Sequence, residues 1–354
     1  MLFAFKRFGF QFSQSPARHI AAQVCSYNFH MQDYIAASAA AALNIPISQI
    51  ETRLRQPRGY QTHTLFDVTA PGRHLIAKRY TLQDGQDDAP QREFAALKLV
   101  AGLDLAPQPI WCDGRSLVLY EFLPGQVWDR RAATPAEMSA LAEVWLRVGR
   151  VGAAQMGPST LFARLQNPSA RAKLLDVEPY AAWASQRART RRAAELCRTA
   201  AHRAGEALRK LERYAPVLRF CKCDPRFGNV LARPHGRIGL TDWEDCGLQD
   251  PAIEIADLFT APNQEDLLSP EAKAALLNGL REWDDGTLAQ RVALYEIALL
   301  GTWFPVLTRV GLRHLANGAL AGWEINEMPY AARLRRMLAR IFASDAFADV
   351  EFFE

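Results

Sequence analysis

The chain has 354 residues, of which 49% are hydrophobic and 23% are charged. That balance is typical of a globular protein and excludes collagen-like, mucin-like and wholly disordered classes. A formal net charge of +4 does not match the dense basic stripe of a dedicated nucleic-acid-binding protein. The length favours two domains, each with enough residues to bury a core.

Cysteine content and hydropathy bear on the compartment. Six cysteines without regular spacing argue against a disulfide scaffold, so a reducing cytoplasm is the expected location. No uncharged apolar run reaches the roughly 18 residues that a transmembrane helix needs. In residues 1–30 charges interrupt the apolar run after five residues, which is too short for a signal-peptide core. We interpret residues 1–30 as a disordered extension or as the stretch before a start at Met31.

The first predicted elements are a helix and a β-hairpin. Residues 33–43 are rich in alanine, which favours a helix. Residues 65–69 alternate apolar and polar side chains, Pro71-Gly72 marks a turn, and residues 74–80 are predicted as a second strand, so a hairpin is expected. Next along the chain we predict a helix over 91–101 and a strand over 116–122.

Helices dominate the chain after Pro124-Gly125. Thr134 can cap a helix, Pro135 suits its first position, and Glu137 can close a capping box, so a helix is predicted to begin here. Similar signals mark further helix starts at Asn167-Pro168 and Ser269-Pro270. Longer helical stretches are predicted over 180–213, 287–311 and 328–342.

Residues 217–260 differ from their surroundings, because short apolar runs alternate there with Asp, Asn, Gly and Pro. Asp224 and Asn229 flank a tight loop between two predicted short strands. Asp242 follows a third predicted strand, over 238–241. Three oxygen-bearing side chains are therefore expected at neighbouring strand ends.

That set of side chains suits phosphoryl transfer from ATP. One carboxylate can position an acceptor hydroxyl and take its proton. An amide oxygen and a second carboxylate can hold Mg²⁺, which prefers oxygen ligands beside phosphate and water.

Two motifs in this segment resemble those of the aminoglycoside phosphotransferase and choline kinase-like family, small-molecule relatives of the protein kinases. Asp224-Pro-Arg-Phe-Gly-Asn229 has the spacing of the family's catalytic loop. The stretches Leu240-Thr-Asp-Trp-Glu244 and Gly247-Leu-Gln-Asp-Pro251 are similar to its second motif and follow in the expected order. The resemblance implies that Asp224 is the catalytic base and that Asn229 and Asp242 are metal ligands.

The resemblance extends over roughly residues 52–260 and supplies nucleotide-binding candidates. Lys78 resembles the strand lysine that contacts the phosphates, and Glu93 resembles its ion-pair partner on the following helix. Tyr120-Glu-Phe-Leu-Pro-Gly125, with Glu121, looks like the hinge beside adenine. Gly59 belongs to a stretch over 58–63 that resembles a phosphate loop. ATP and Mg²⁺ are the implied cofactors, with GTP as an open alternative.

The fold implied by the resemblance is an α+β, two-lobed protein kinase-like fold. We expect an N-lobe over 31–123, with a sheet and a helix, and a larger, mainly helical C-lobe over 124–354. The implied activity is transfer of the γ-phosphate of ATP to a hydroxyl of a small molecule. Neither a nucleic-acid partner nor a membrane partner is expected.

The catalytic loop departs from the family pattern, since Lys222-Cys223 stands where the family has His-Gly. Lys222 can brace the loop in another way, or act on Asp224 through its charge. Cys223 requires a backbone that tolerates a Cβ atom. The departure, together with a phosphate loop that has one glycine, leaves a catalytically weak or inactive nucleotide-binding protein as the alternative.

Other candidate features have simpler interpretations. Asp250 and Asp257 are expected to cap or brace rather than react. The Arg-rich stretch over 187–192 favours a solvated helix face over a nucleic-acid contact, because glutamates are interspersed nearby. A zinc site is disfavoured by the Cys-x-Cys spacing; its candidate ligands would be Cys221, Cys223, Cys246 and His235. Core positions are expected for Trp283, Trp303, Phe304 and Trp323, with the wall of an acceptor pocket or a box around a cationic ammonium as the alternative. Attraction of a cationic acceptor is the functional alternative for Asp284, Asp285, Glu324 and Glu327.

Overall fold

The computed structural model describes residues 31–55, 63–80, 88–128, 131–151, 155, 162, 182, 191–262, 264–316 and 330–343. Contacts divide the chain into two units. Unit 1 comprises the described residues up to Pro124 together with Gly239–Asp245, and unit 2 comprises those of Gly125–Ile238 and from Cys246 onwards. Several predictions lie outside the described residues: those on residues 1–30, Gly59, Asn167-Pro168, Arg187, Arg189, Trp323, Glu324 and Glu327.

Unit 1 is built on a five-stranded antiparallel sheet with the order β1-β2-β3-β5-β4. The chain is helical over 31–43, which we label α1. The remaining elements are β1 (Glu51–Leu54), β2 (His63–Ala70), β3 (Arg73–Tyr80), α2 (Ala89–Val100), β4 (Pro109–Cys112) and β5 (Leu117–Glu121). The predicted helices and the hairpin are confirmed.

The two faces of β3 have different roles. Successive side chains of a strand point to opposite faces of a sheet. Leu75 and Ala77 join a buried core with residues of β2, β5 and α1. Lys78, one residue further, is on the opposite face, where it is 1% exposed and pairs with Glu93 of α2. Strand alternation therefore separates the apolar core from the candidate site.

Unit 2 contains six described helices and short paired strands. The helices are α3 (Pro135–Gly149), α4 (Arg191–Leu211), α5 (Pro251–Thr260), α6 (Pro270–Gly279), α7 (Leu288–Ala316) and α8 (Tyr330–Phe342). The strands are β6 (Gln126–Val127), β7 (Arg219–Cys221), β8 (Val230–Ala232) and β10 (Gly247–Gln249), while β9 (Ile238–Leu240) leads from unit 2 into unit 1. Antiparallel pairs join β6 to β8 and β7 to β10.

Helix starts in unit 2 follow the capping signals in the sequence. The Thr134 side chain accepts from the Glu137 N–H, and the Glu137 side chain accepts from the Thr134 N–H, so the capping box at α3 is complete. Ser269 caps α6. Asp250 caps α5 by accepting from the Ala252 N–H at 3.0 Å, as expected of a bracing residue.

A second core joins α4, α7 and α8. Ala200, Phe304 and Leu338 are among its buried members. The two long helices approach closely at Gly301, where an added Cβ would lie 2.7 Å from that of Ala204. Trp283 is also buried, so the structural interpretation of Trp283 and Phe304 is confirmed. Within the described part of the chain, no helix is both long enough and apolar enough to cross a membrane.

Candidate active site

A buried ion pair lies at the centre of unit 1. The Nζ atom of Lys78 is 2.8 Å from Oε2 of Glu93, and each residue is only 1% exposed. The contact arises because β3 leads into α2 and Glu93 is in the first turns of that helix. Two of the four residues predicted to bind nucleotide, Lys78 and Glu93, are therefore brought together.

Glu93 also holds the segment that follows β9. Its Oε1 atom accepts from the backbone N–H of Trp243 at 3.2 Å, and Arg92 donates to the backbone carbonyl of Glu244 at 2.7 Å. The Tyr80 hydroxyl donates to the Oε2 atom of Glu93. The first turns of α2 thus position both Lys78 and the Asp-Trp-Glu motif.

Asp242 and Glu244 complete the charged centre. Nζ of Lys78 contacts the Asp242 carboxylate and is 3.0 Å from Oε2 of Glu244. Asp242 adopts a left-handed backbone with φ of 65°, which non-glycine residues rarely do. A backbone held in such a conformation is common where a side chain must be presented for function. We call Lys78, Glu93, Asp242 and Glu244 the Lys78 centre.

The ionisable groups of the Lys78 centre shift one another's pKa values. Burial opposes the charged form of Lys78, but the nearby carboxylates outweigh it and raise its pKa well above the usual value. Burial raises the pKa of Glu93, and it raises the pKa of Glu244 to about 8. Near pH 7 the Glu244 side chain therefore favours its protonated form, and a cation bound beside it would favour the carboxylate instead.

The donor set of the Lys78 centre includes a histidine. Ligand atoms of His63, Asp242 and Glu244 all lie within 4.8 Å of one another. Burial lowers the pKa of His63 to about 4, and the Lys78 charge adds to this effect, so the imidazole is neutral near pH 7. The carboxylates are oxygen ligands of the kind that Mg²⁺ prefers, whereas imidazole suits transition metals better.

The loop Asp224–Asn229 of unit 2, which we call the catalytic loop, joins β7 to β8. Both oxygens of the Asp224 carboxylate have partners. Nδ2 of Asn229 donates to Oδ2 at 2.8 Å, and Nε of Arg226 lies 2.9 Å from Oδ1. Asp224 and Asn229, predicted from their spacing, are therefore in direct contact.

Lys222 braces the catalytic loop through the backbone. Its Nζ atom donates to the carbonyl of Asp224 at 2.7 Å, and the side chain is buried. Of the two roles open to Lys222, the structure shows the brace. Glu254 of α5 supports the same stretch, because it accepts from the Cys221 thiol and from the N–H groups of Lys222 and Cys223.

Cys223 and Asp257 are two further residues near Asp224. Cys223 has φ of 66°, a conformation that suits glycine, the family's residue at this position. Burial raises the pKa of Asp257 to about 7, and the Asp224 carboxylate contributes to that rise. Asp257 thus lies within the electrostatic range of the catalytic loop.

Glu121 is at the end of β5 and partly exposed, and one of its oxygens is 2.6 Å from Nη2 of Arg73. The hinge assignment of Glu121 stays a prediction, as does the phosphate-loop assignment of Gly59, which lies outside the described residues.

Other candidate residues have structural partners. Asp285 binds Arg291, whose Nη1 lies 2.8 Å from its Oδ1, and Asp284 accepts from the Gly286 N–H at 2.9 Å. Among the described residues, the grouping of potential metal ligands is His63, Asp242 and Glu244 and does not include Cys221, Cys223 or Cys246.

Sequence reasoning missed several residues of the two sites. Glu244 was quoted in the second motif but given no role, although its place two residues after Asp242 was a usable signal. His63 is the first residue of β2 and Tyr80 is the last residue of β3. The two residues lie opposite each other in this antiparallel pair. Arg226 had no signal beyond its position within the catalytic loop.

The chain also matches a protein-family model. The model described as the phosphotransferase enzyme family matches residues 53–291, which include both sites. The chain belongs to this phosphotransferase enzyme family. No curated protein is significantly similar to it in sequence.

Solved structures share the fold. The Streptococcus pneumoniae choline kinase LicA is 15% identical, with 89% of this chain and 100% of that chain covered and a TM-score of 0.58. For a Plasmodium vivax ethanolamine kinase the identity is 15%, the coverage 85% and 84%, and the TM-score 0.56. Spectinomycin phosphotransferase APH(9)-Ia, solved with ADP and spectinomycin, is 10% identical, with 84% of this chain and 93% of that chain covered and a TM-score of 0.60. The predicted two-lobed, kinase-like α+β fold is confirmed.

Proposed function

We propose that the protein is an ATP- and Mg²⁺-dependent phosphotransferase that moves the γ-phosphate to a hydroxyl of a small molecule. The observation that carries the proposal is the buried Lys78–Glu93 pair, held with Asp242 in one cluster. A buried ion pair is costly to form unless geometry and further hydrogen bonds compensate. Family membership supports the general activity, and the cluster supports the nucleotide assignment.

Lys78 is proposed to hold the nucleotide phosphates. It already contacts three carboxylates, so its ammonium is oriented before nucleotide binds. Glu93 keeps the Lys78 ammonium in place when the negatively charged phosphates attract it. Such prior orientation of a charged group is the main contribution a protein makes to phosphoryl transfer.

Asp224 is proposed to orient the acceptor hydroxyl and to take its proton. The acceptor oxygen then bonds to the γ-phosphorus as the bond from that phosphorus to the bridging oxygen of ADP breaks. Asn229 and Arg226 fix the carboxylate from both sides, so its lone pairs have a defined direction.

Asn229 and Asp242 are proposed as the protein ligands of Mg²⁺. The donor chemistry is suitable, because one amide oxygen and one carboxylate leave room for phosphate and water. When bound, Mg²⁺ would neutralise charge on the phosphates. Glu244, whose pKa is raised to about 8, would offer a further carboxylate where a bound cation displaces its proton.

Nucleotide binding is tested first, by the thermal unfolding temperature with millimolar ATP, with and without Mg²⁺. Wild type should be stabilised more when Mg²⁺ is present, and Asp242→Asn should lose that increment. Asp67→Asn is the matched control, because Asp67 is in the same sheet but pairs with Arg55 and His74. Absence of any ATP effect on folded wild-type protein would contradict the proposal.

Transfer is tested by ADP formation in the presence of hydroxylated acceptors. Choline, ethanolamine and spectinomycin form the starting panel, since they name the structurally similar enzymes. Asp224→Asn should reduce ADP formation by at least about a hundredfold and leave ATP binding largely intact. Undiminished transfer by Asp224→Asn would remove Asp224 from the role of base.

A second candidate is a nucleotide-binding protein that transfers slowly or not at all. Lys222-Cys223 in place of His-Gly favours it, because Cys223 holds a strained backbone directly before Asp224. This candidate predicts ATP-dependent stabilisation with no ADP formation for any acceptor. The two assays above therefore separate the candidates.

A further inference from the structure

The side chain of Gln264 makes three hydrogen bonds in the interior of unit 2. The residue lies between α5 and α6 and is 1% exposed. Its Oε1 atom accepts from the backbone N–H of Phe227 at 2.8 Å. Its Nε2 atom donates to the carbonyls of Leu258 at 3.0 Å and Pro225 at 3.4 Å. Both ends of the amide are therefore used.

Two of these bonds end on the catalytic loop. Pro225 and Phe227 lie between Asp224 and Asn229, where the backbone is not part of a strand ladder. Within the loop, the Asn229 N–H donates to the carbonyl of Arg226 at 2.8 Å. Buried backbone groups need partners, and Gln264 supplies one acceptor and one donor.

The third bond connects the loop to α5. Because Nε2 of Gln264 reaches the carbonyl of Leu258 as well as that of Pro225, one amide joins the end of the helix to the loop. The backbone N–H of Gln264 donates to the carbonyl of Ala261 at 3.0 Å, which fixes the residue just after the helix. The loop is thus connected to a rigid element through a single side chain.

The residues that follow Gln264 form ion pairs with α8. Glu265 is 2.9 Å from Nη1 of Arg340, and Arg336 pairs with Asp266. Arg340 also reaches Glu296 of α7 at 3.1 Å. Gln264 is therefore held from both directions, by α5 on one side and by α7 and α8 on the other.

We propose that Gln264 is a positioning residue, which sets the conformation of the catalytic loop and thereby the placement of Asp224 and Asn229. The inference rests on the proposed function, because it gives those two residues their roles. Gln264 itself contacts neither nucleotide nor acceptor in this assignment. The amide is required because it both donates and accepts hydrogen bonds. An ionised carboxylate can only accept them, and an aliphatic side chain can neither donate nor accept.

The experiment compares hydrogen exchange and turnover in wild type, Gln264→Glu and Gln264→Met. Amide exchange in peptides over 220–232 should rise at least tenfold in both variants, relative to α7 amides in the same sample. The ADP-forming kcat should fall at least tenfold, while KM for ATP changes less than threefold. KM for ATP should change less than kcat because the substitutions leave the Lys78 centre unaltered.

Thr302→Val is the matched control. Thr302 is also a buried hydrogen-bonded side chain of unit 2, donating to the carbonyl of Ala298 at 2.9 Å within α7. It should leave loop exchange and kcat unchanged even if the melting temperature falls. If one Gln264 variant does not fold, the other still carries the comparison.

Each outcome decides the proposal. Unchanged loop exchange in a folded Gln264 variant would overturn it, and so would an equal increase in α7. A selective rise in loop exchange with lower kcat supports it. A selective rise in a protein whose wild type forms no ADP would overturn the phosphotransferase proposal instead, and would leave Gln264 as the residue that orders the loop.

Discussion

The Lys78 centre and the catalytic loop stabilise functional side chains in different ways. In unit 1, a buried ammonium is surrounded by carboxylates, and each charge depends on the others. In unit 2, the loop is held mainly by hydrogen bonds to its backbone, from Lys222 and from the neutral amide of Gln264. Its ion pair, between Asp224 and Arg226, is partly exposed.

Removal of a charge should cost different amounts of stability in the two regions. Removing one charge from a buried cluster leaves its partners both desolvated and unpaired, which is strongly destabilising. Removing one charge from a partly exposed pair costs little, because water replaces the partner. Stability should therefore be sensitive to charge at the Lys78 centre and much less sensitive at the catalytic loop.

The largest effect is expected for Lys78→Met. The variant leaves the carboxylates of Glu93, Asp242 and Glu244 without their cation, at a cost of about 3–5 kcal/mol in the free energy of unfolding. Urea denaturation near pH 7 measures this quantity. The loss should shrink at lower pH, where the carboxylates are protonated.

Lys98→Met is the control for Lys78→Met. Lys98 is on the same helix as Glu93 but is exposed, with its Nζ atom 4.4 Å from the centroid of the Phe94 ring. Its replacement should change the free energy of unfolding by no more than about 0.5 kcal/mol. Similar losses for the two variants would contradict the ion-pair account of the Lys78 centre.

Glu254→Gln tests whether the catalytic loop contains one strongly charge-dependent brace. Burial raises the pKa of Glu254 to about 7, and its Oε1 atom has no hydrogen-bond partner. The folded state thus keeps a proton that the unfolded state releases at lower pH. The stability contributed by Glu254 is therefore present in acid and is lost as the pH rises from about 4.5 to about 7.

The measurement for Glu254 is the free energy of unfolding between about pH 4.5 and 7.5. Wild type should lose up to about 3 kcal/mol more than Glu254→Gln over this range, because one pKa unit corresponds to about 1.4 kcal/mol. Glu195→Gln, at an exposed position of α4, should follow wild type. Parallel curves for wild type and Glu254→Gln would show that this glutamate does not titrate with folding.

Arg226→Met should have a smaller effect. The pair with Asp224 is partly exposed, and Asn229 still donates to the carboxylate in the variant. We expect a loss of about 1 kcal/mol or less by urea denaturation. The loss should nearly vanish at about 1 M salt, where the screening length falls to about 3 Å. A loss as large as that of Lys78→Met would remove the distinction between the two regions.

Contacts between residues that are close in sequence can be predicted from the sequence, and both regions contain such contacts. Lys78 and Glu93 are 15 residues apart on consecutive elements, so strand alternation and helix order are enough to predict their contact. Asp224 and Asn229 flank one loop and are equally local. These pairs need no knowledge of how distant parts of the chain pack.

Gln264 shows the opposite case. It lies in a polar connection, has no periodic signal, and meets Phe227 across 37 residues of sequence. Lys222 was recognised as a departure from the family, but which of its two roles applies depended on the direction of its side chain. Contacts that satisfy single buried backbone groups are set by tertiary packing, and residue patterns do not encode them.

The smallest expected effect is a gain in stability from Cys223→Gly. At φ of 66° a Cβ atom crowds the backbone, at a cost of about 1–2 kcal/mol. Glycine removes that cost but adds entropy to the unfolded chain, so the net gain should be about 0.5–1 kcal/mol in urea denaturation. The thiol contributes little, because its contact with the Cys221 carbonyl, at 3.4 Å, is a weak hydrogen bond.

Cys223→Ala separates the two parts of this argument, because alanine keeps the Cβ atom and removes the sulfur. It should not be more stable than wild type. If alanine and glycine stabilise equally, the thiol rather than the backbone is the source of strain. If only glycine stabilises, and ADP formation also rises, then the strained residue before Asp224 limits how well the catalytic loop is ordered, and the loop rather than the Lys78 centre is where activity is most easily improved.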